Sequence, residues 1–297
     1  HCLREIRRAA LHQNRQPEFA DWFSDISLRE LASIYRSDLS LLISDAEYSI
    51  LTETLKLPSS LLHVTPFLVR PEDQTLPGQS PHFGERKNFI TMGNFRHAPN
   101  ADSVRYLYEI LWPGIRKECP HAKMNVFGAD LTPALAELNQ PEKGFFVRGR
   151  ADNALQMMEK SRVCLAPLRY GAGQKGKLLD AMLAGTPSVT TSIGAEGMQG
   201  DSPWPGAVEN DPEAFRNAAI RLYQSETDWQ SAHSFIPGLL KARFDQPTHA
   251  KALLKRIQIL MDTPRNSTPE HLTGALLRHH QHRSTEYMSR WIEAKNK

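Results

Sequence analysis

Cysteine is nearly absent from this chain. Its three copies in 297 residues, Cys2, Cys119 and Cys164, are odd in number and far apart. That excludes a disulfide framework, offers no metal-ligand spacing and points to a reducing compartment. Long apolar runs are lacking too: no stretch approaches the roughly 20 apolar residues of a membrane span. The first residues do not read as a secretory leader, so a cytoplasmic location is expected, with at most a peripheral association at the inner face of the plasma membrane. Neither sign of charge dominates. Thirty-six basic against 33 acidic side chains leave a formal net charge of +3, which suits small anionic ligands without demanding nucleic acid. Internal repeats and low-complexity tracts are missing. With 40% hydrophobic and 23% charged residues, the composition is that of a globular protein with room for two domains.

What is present is concentrated in Val163–Thr191, VCLAPLRYGAGQKGKLLDAMLAGTPSVTT. A short apolar run leads into a glycine-rich loop. A helix follows with Leu178, Leu179, Ala181, Met182 and Leu183, stops at Gly185, and gives way to a second β-branched run after Pro187. Gly171, Gly173 and Gly176 let backbone approach a ligand closely. A helix start offers unpaired N–H groups and a positive dipole end, and Arg169, Lys175 and Lys177 add charge there. The pattern predicts a diphosphate site. It also matches G-x-G-x-x-G, the dinucleotide fingerprint. That fingerprint belongs on the first strand of its domain, however, and at least three strand-like runs precede this one.

The chain divides by composition. Residues 1–70 read as the end of a first α/β domain, with helix-like stretches at Leu3–Leu11 and Leu28–Arg36, an apolar strand at Leu39–Ile43, a helix capped by Ser44 and running to about Leu55, and a short strand over His63–Val69. Residues 71–87, rich in proline, glycine and charge, carry a linker signature. Residues 88–225 alternate strand and helix: strands are expected at Phe89–Met92, Met124–Phe127, Phe145–Val147, Val163–Ala166 and Ser188–Thr190. This βα repetition implies a doubly wound parallel sheet whose ligand sits at the C-terminal strand ends, where Gly93, Gly149 and the loop 168–176 would converge. Residues 226–297 are expected to be helical.

Two segments carry a resemblance to a known family. The run APLRYGAGQKGKLLDAMLAGTPSVTTSIGAEGM and the loop GNFRHAPN at Gly93–Asn100 resemble the donor-site segments of GT-B glycosyltransferases, most closely family 4. The resemblance implies a GT-B-like fold, with a Rossmann-like nucleotide-sugar domain, a helical C-terminal extension and only part of an N-terminal acceptor-side domain. About a hundred residues of that domain are expected to be missing, and the last helix is expected to pack back on what remains. It further implies transfer of a sugar from a nucleotide-diphosphate donor to an acceptor hydroxyl, with retention and without metal or other cofactor, on a glycan or lipid-linked acceptor in cell-surface glycan synthesis. The family's donor motif has two glutamates separated by seven residues. Here the second position is Asp180, expected at the ribose, and the first falls on Ala172, which is not acidic.

By the same resemblance, Gly93 and Asn94 line the donor, Arg96 reaches a phosphate, and Arg148 in the Phe146–Arg150 loop lies near the nucleobase. Glu196, in the loop Ile193–Gly197, could stand in for the acid absent at Ala172. Arg96, Lys175, Lys177 and Glu196 are the candidates for catalysis. Gly93, Asn94, Arg148, Arg169, Gly171, Gly173, Gly176 and Asp180 are the candidates for donor binding. His279, His280 and His282 alternate around a helix rather than sharing a face, so no metal site is expected. Tyr287 and Trp291 share a helix face, open to packing or to weak membrane-surface contact. A nucleotide-binding module without transferase activity, a GT-B epimerase and a dehydrogenase are the competing functional readings.

Overall fold

A computed structural model describes residues 2–73, 81–263 and 268–296, with the side chains of 280–284 outside the description. The chain forms two compact units, one of residues 1–65 with 248–297 and one of residues 66–247.

The smaller unit begins with α1 (Cys2–His12), α2 (Asp25–Arg36), β1 (Ser40–Leu42), α3 (Asp45–Ser49) and β2 (Leu62–Val64). The Ser24 hydroxyl caps α2 and that of Ser44 caps α3, each satisfying an N–H that the first helical turn leaves without a partner. The helix expected to reach Leu55 changes at Ile50 into a single π-helical turn. β1 and β2 pair in parallel, with Ser40 opposite Leu62. The second strand is shorter than expected because Pro66, which has no N–H to give a ladder, follows it closely. Val69 makes an isolated bridge to Asp245 within the larger unit instead.

The larger unit holds β3 (Phe89–Asn94), α4 (Ala98–Tyr106), α5 (Trp112–Glu118), β4 (Met124–Ala129), α6 (Pro133–Ala136), β5 (Phe145–Gly149), α7 (Ala154–Lys160), β6 (Val163–Ala166), α8 (Gly176–Leu183), β7 (Ser188–Thr190), α9 (Ser192–Ala195), β8 (Gly206–Val208), α10 (Pro212–Gln224), α11 (Glu226–Ser234) and α12 (Ile236–Phe244). A parallel sheet in the order β5-β4-β3-β6-β7-β8 forms its centre. The two central strands, β3 and β6, are largely apolar on both faces, as a sheet covered by helices on each side requires. Along β3 and β6, Phe89, Val163 and Leu165 enter the cluster with Leu107, Trp112, Phe145 and Phe215. Ile90 and Cys164 turn the other way, toward Met158 and Ala181. β8 was not expected; it begins at the last glycine of GDSPWPG, a stretch that reads as a turn.

Residues 81–87, expected as part of a linker, are built into this unit. Arg86 is fully buried. Arg162 donates to the carbonyls of Arg86 and Phe83, at 3.0 and 3.2 Å, and stacks on the Phe83 ring. Residues 74–80 of the expected linker lie outside the described residues. α11 and α12, read from the sequence as part of a separate helical tail, also belong here: Leu239, Leu240 and Phe244 pack against Leu178 and Met182.

The chain then passes through α13 (Gln246–Asp262) to α14 (Pro269–Lys295). Both lie in the stretch expected to be helical. α14 lies against α2: the Tyr35 carbonyl occupies the space that a side chain at Gly274 would fill, and Arg278 Nη1 donates to the Arg36 carbonyl at 2.7 Å. Among the described residues, no helix is long and apolar enough to cross a membrane.

Candidate functional site: a cationic crevice at the switch point of the sheet

The sheet order fixes where a ligand can sit. The chain runs from β3 outward through β4 to β5, then returns to lay β6 on the other side of β3. Strand order reverses between β3 and β6, and in open α/β sheets the crevice beyond the strand ends at such a reversal is the binding place. The loops that leave β3 and β6 there are Asn94–His97 and Pro167–Lys175, the two segments singled out by sequence.

The loop after β6 is shaped by glycine and anchored by polar side chains. Gly171 and Gly173 adopt φ of 155° and 69°, which side chains with a Cβ resist. Gly176 keeps an ordinary φ and is exposed, with open space where a Cβ would go. The buried Gln174 side chain accepts from Phe67 N at 2.9 Å and donates to the Gly197 carbonyl at 2.7 Å. Thr191 Oγ1 donates to the Leu168 carbonyl at 2.5 Å. Gln174 and Thr191 escaped the sequence reading; a polar side chain set between two loop glycines was the signal for the first.

α8 opens directly from this loop, with Lys175 as its N-cap. The N–H groups of Gly176 and Lys177 have no acceptor among the described residues, the usual state of a helix start. Lys175 Nζ folds back onto the Gly173 carbonyl. Lys177 makes no hydrogen bond or ion pair among the described residues. Burial, with a smaller contribution from the nearby charge of Lys175, pushes its ammonium down to about 8. Asp180 follows one turn later on the same side of α8, and burial raises its carboxyl above the usual range. Both act on the thiol of Cys164 in β6, itself pushed up to about 12 by burial. Among the described residues the site thus holds a desolvated cation and a desolvated acid without protein partners, an arrangement whose electrostatic cost is relieved when an anion and hydroxyl groups bind.

Glu196 comes into this neighbourhood. It follows α9, half-buried, and the next residue, Gly197, is the one Gln174 grips. The space a side chain at Gly171 would take lies 3.7 Å from Ile193 Cγ2, so the loop after β7 packs on the glycine loop.

The other cations proposed from sequence are engaged elsewhere. Arg96 is 80% exposed and pairs with Asp130 at 3.2 Å. Arg148 stacks on Phe146, 4.4 Å from the ring centre, and reaches Asn125 Oδ1 at 3.3 Å. The guanidinium of Arg169 is held by Asp102 of α4. At Gly93 a Cβ would meet Asn100 Cγ at 2.7 Å, so the bare backbone leaves room for that side chain. Asn94 turns its side chain to the loop itself and accepts from Arg96 N at 2.8 Å. Among the described residues no cluster of His, Cys, Asp and Glu suits a metal; the side chains of His280 and His282 lie outside them.

The comparison with known proteins places this geometry beside a known family. Residues 86–225 match the model described as glycosyl transferases group 1. The match spans a little under half of the chain and is a similarity to that family. The solved structures the chain resembles agree on the fold. A mutant form of TarM of S. aureus, solved with fondaparinux, alpha-GlcNAc-glycerol and UDP, is 14% identical with a TM-score of 0.64, over 81% of this chain and 48% of that one. Anabaena HepE, solved with UDP and glucose, is 12% identical with a TM-score of 0.62, over 85% and 74%. WaaG, a glycosyltransferase involved in lipopolysaccharide biosynthesis, is 14% identical with a TM-score of 0.55, over 82% and 70%. The fold is that of the GT-B glycosyltransferases. The chain spans about half the length of the TarM structures it matches. No curated protein matches it.

Proposed function

We propose that this chain carries the donor site of a glycosyltransferase that moves a sugar from a nucleoside diphosphate to an acceptor hydroxyl. The observation that carries the reading is Lys177: a half-buried ammonium with no protein partner among the described residues, at the start of α8 and at the switch point of the sheet. Breaking the anomeric C–O bond leaves negative charge on the departing diphosphate. Lys177 and the N–H groups of Gly176 and Lys177 meet that charge without rearranging, which lowers the barrier, and Lys175 joins them on releasing the Gly173 carbonyl. Asp180 takes the ribose hydroxyls. The family places these reactions without a bound metal and with retention at the anomeric carbon; both belong to this proposal, as does a glycan or lipid-linked acceptor at the cell surface. TarM and HepE were solved with UDP, which makes UDP the first donor base to try.

The test is calorimetric titration of the chain with UDP, GDP and NAD. Micromolar binding of one nucleoside diphosphate supports the reading, and binding of NAD alone replaces it with a dehydrogenase. The pH dependence sharpens it. Free Lys177 loses its proton above about pH 8, whereas a bound diphosphate keeps it protonated. UDP affinity should therefore be flat just below that pH and fall by up to about tenfold per pH unit above it. Affinity that holds constant to about pH 9.5 would remove Lys177 from the phosphates.

Ala172 leaves the sugar without the acid the family uses, and this favours one alternative, a module that binds nucleotide and transfers nothing. Glu196→Gln separates the two. If Glu196 holds the donor sugar, UDP affinity stays within about twofold while turnover of UDP-glucose drops about tenfold or more, the scale of one charged hydrogen bond. Equal turnover in variant and parent dismisses Glu196, and no turnover in the parent favours the module.

A further inference from the structure

Arg169 stands where a diphosphate would want a cation, yet its guanidinium is already spoken for. Nε donates to Asp102 Oδ2 at 2.9 Å, Nη2 donates to Oδ1 of the same carboxylate, and the guanidinium carbon lies 5.0 Å from the centre of the Tyr106 ring. This is the two-pronged geometry in which arginine binds carboxylates most firmly. Asp102 and Tyr106 sit one turn apart on α4, the helix that follows the β3 loop. Arg169 sits in the loop after β6.

We propose that Arg169 and Asp102 form a latch across the switch point, one that holds the loop after β6 against α4 and sets nucleotide affinity by positioning Gly171–Lys177 rather than by touching the nucleotide. The inference rests on the donor-site reading above. Three observations carry it. The Asp102 side chain is only 16% exposed, so a guanidinium that swung out to a phosphate would strand a partly buried carboxylate. The far side of the loop has its own anchors, Thr191 on the Leu168 carbonyl and Gln174 between Phe67 and Gly197; Arg169 supplies the tie on the β3 side. Between those anchors the backbone turns at Gly171 and Gly173, which impose little stiffness of their own. Arg169 and Asp102 are thus positioning residues, and the cationic contact falls to Lys177.

The experiment uses the full chain as Asp102→Ala, Arg169→Ala and the exchanged pair Asp102→Arg with Arg169→Asp. Hydrogen exchange is read over residues 168–175, and UDP and GDP are titrated. Each single variant should speed exchange in the loop and weaken UDP about tenfold, and the exchanged pair should bring both back to within about threefold, as coupled neighbours do. Arg169→Lys, which keeps the charge and loses the fork, should behave like Arg169→Ala if the exchanged pair proves too unstable to study. A direct phosphate contact gives a different result: Arg169→Ala weakens UDP, Asp102→Ala leaves it alone, and the proposal is overturned. Unchanged exchange in both single variants overturns it as well. If the parent binds neither UDP nor GDP while exchange responds as described, the latch is upheld and the donor-site reading is what fails.

Discussion

Lys177→Met should weaken nucleoside diphosphate binding roughly a hundredfold while making the unliganded chain more stable. The two effects have one cause. The Lys177 ammonium is held at about 8 by burial, far below a lysine in the unfolded chain, whose value is about 10.4. Between those two values the unfolded state binds more protons than the native state, so stability rises with pH through that window, and the penalty is complete below about pH 8. Methionine keeps the length and apolar stem and removes the charge. Allowing for solvent near the ammonium, the gain at neutral pH is about 1–2 kcal/mol, a few degrees of melting temperature. Binding loses a charge-assisted contact of about 2–3 kcal/mol, which is the hundredfold. Calorimetry and a thermal melt of the same preparation check both. A variant that binds UDP as the parent does would take Lys177 out of the site, and one that melts lower would show that the ammonium has a stabilising role in the fold.

That trade of stability for binding was half legible in the sequence. β3 and β6 announce themselves because each is a short apolar run closed by glycine or proline, and β7 shows as a β-branched run opened by Pro187. The glycine loop and α8 are contiguous with β6, so the helix start, Lys175, Lys177 and Asp180 could be read from one segment. Local pattern does not show which cation is free. Arg169 and Asp102 are 67 positions apart, and nothing in either neighbourhood marks them as partners until β6 returns beside β3. Arg96 and Asp130 pair in the same way, from the ends of adjacent strands. β8 was missed because Pro205 and Gly206 look like a turn, although Ser188 of β7 pairs with that glycine. The error at Arg86 runs deepest. Surrounded by proline, glycine and charge it reads as a linker arginine, and its burial depends on the ends of two helices that lie far along the chain.

Those helix ends are the basis of the last prediction: Arg86→Met should cost about 3–5 kcal/mol, the scale for leaving several buried oxygens without a donor. Burial pulls the Arg86 guanidinium down to about 10, against the weaker pull of the Glu159 and Glu85 charges. What grips it at close range is carbonyl oxygen. Nη2 donates to the Ala184 carbonyl at the end of α8 at 2.9 Å, Nη1 to the Ser161 carbonyl at the end of α7 at 3.3 Å, and Nε to the Pro81 carbonyl at 2.9 Å. Nη1 also donates to Thr186 Oγ1 at 2.8 Å, and that hydroxyl donates in turn to the Met158 carbonyl. Trp229 lies 5.3 Å beneath the charge. A cation at the C-termini of two helices meets their negative dipole ends and satisfies carbonyls the helices cannot. Methionine fills the volume and leaves those oxygens buried without donors, at a cost of about 1–3 kcal/mol each before relaxation. Urea unfolding followed by tryptophan fluorescence should show the midpoint fall, while UDP affinity, measured where the variant is still folded, stays within about threefold of the parent. A loss under about 1 kcal/mol would mean that water replaces the guanidinium. A hundredfold loss of UDP affinity in the folded variant would mean that Arg86 acts on the site rather than on the frame. Arg86 and Lys177 sit at opposite ends of α8, and their energetics are opposite: the cation whose bonds are made within the fold holds the helix in place, and the cation left without them is the one with free energy to give a ligand.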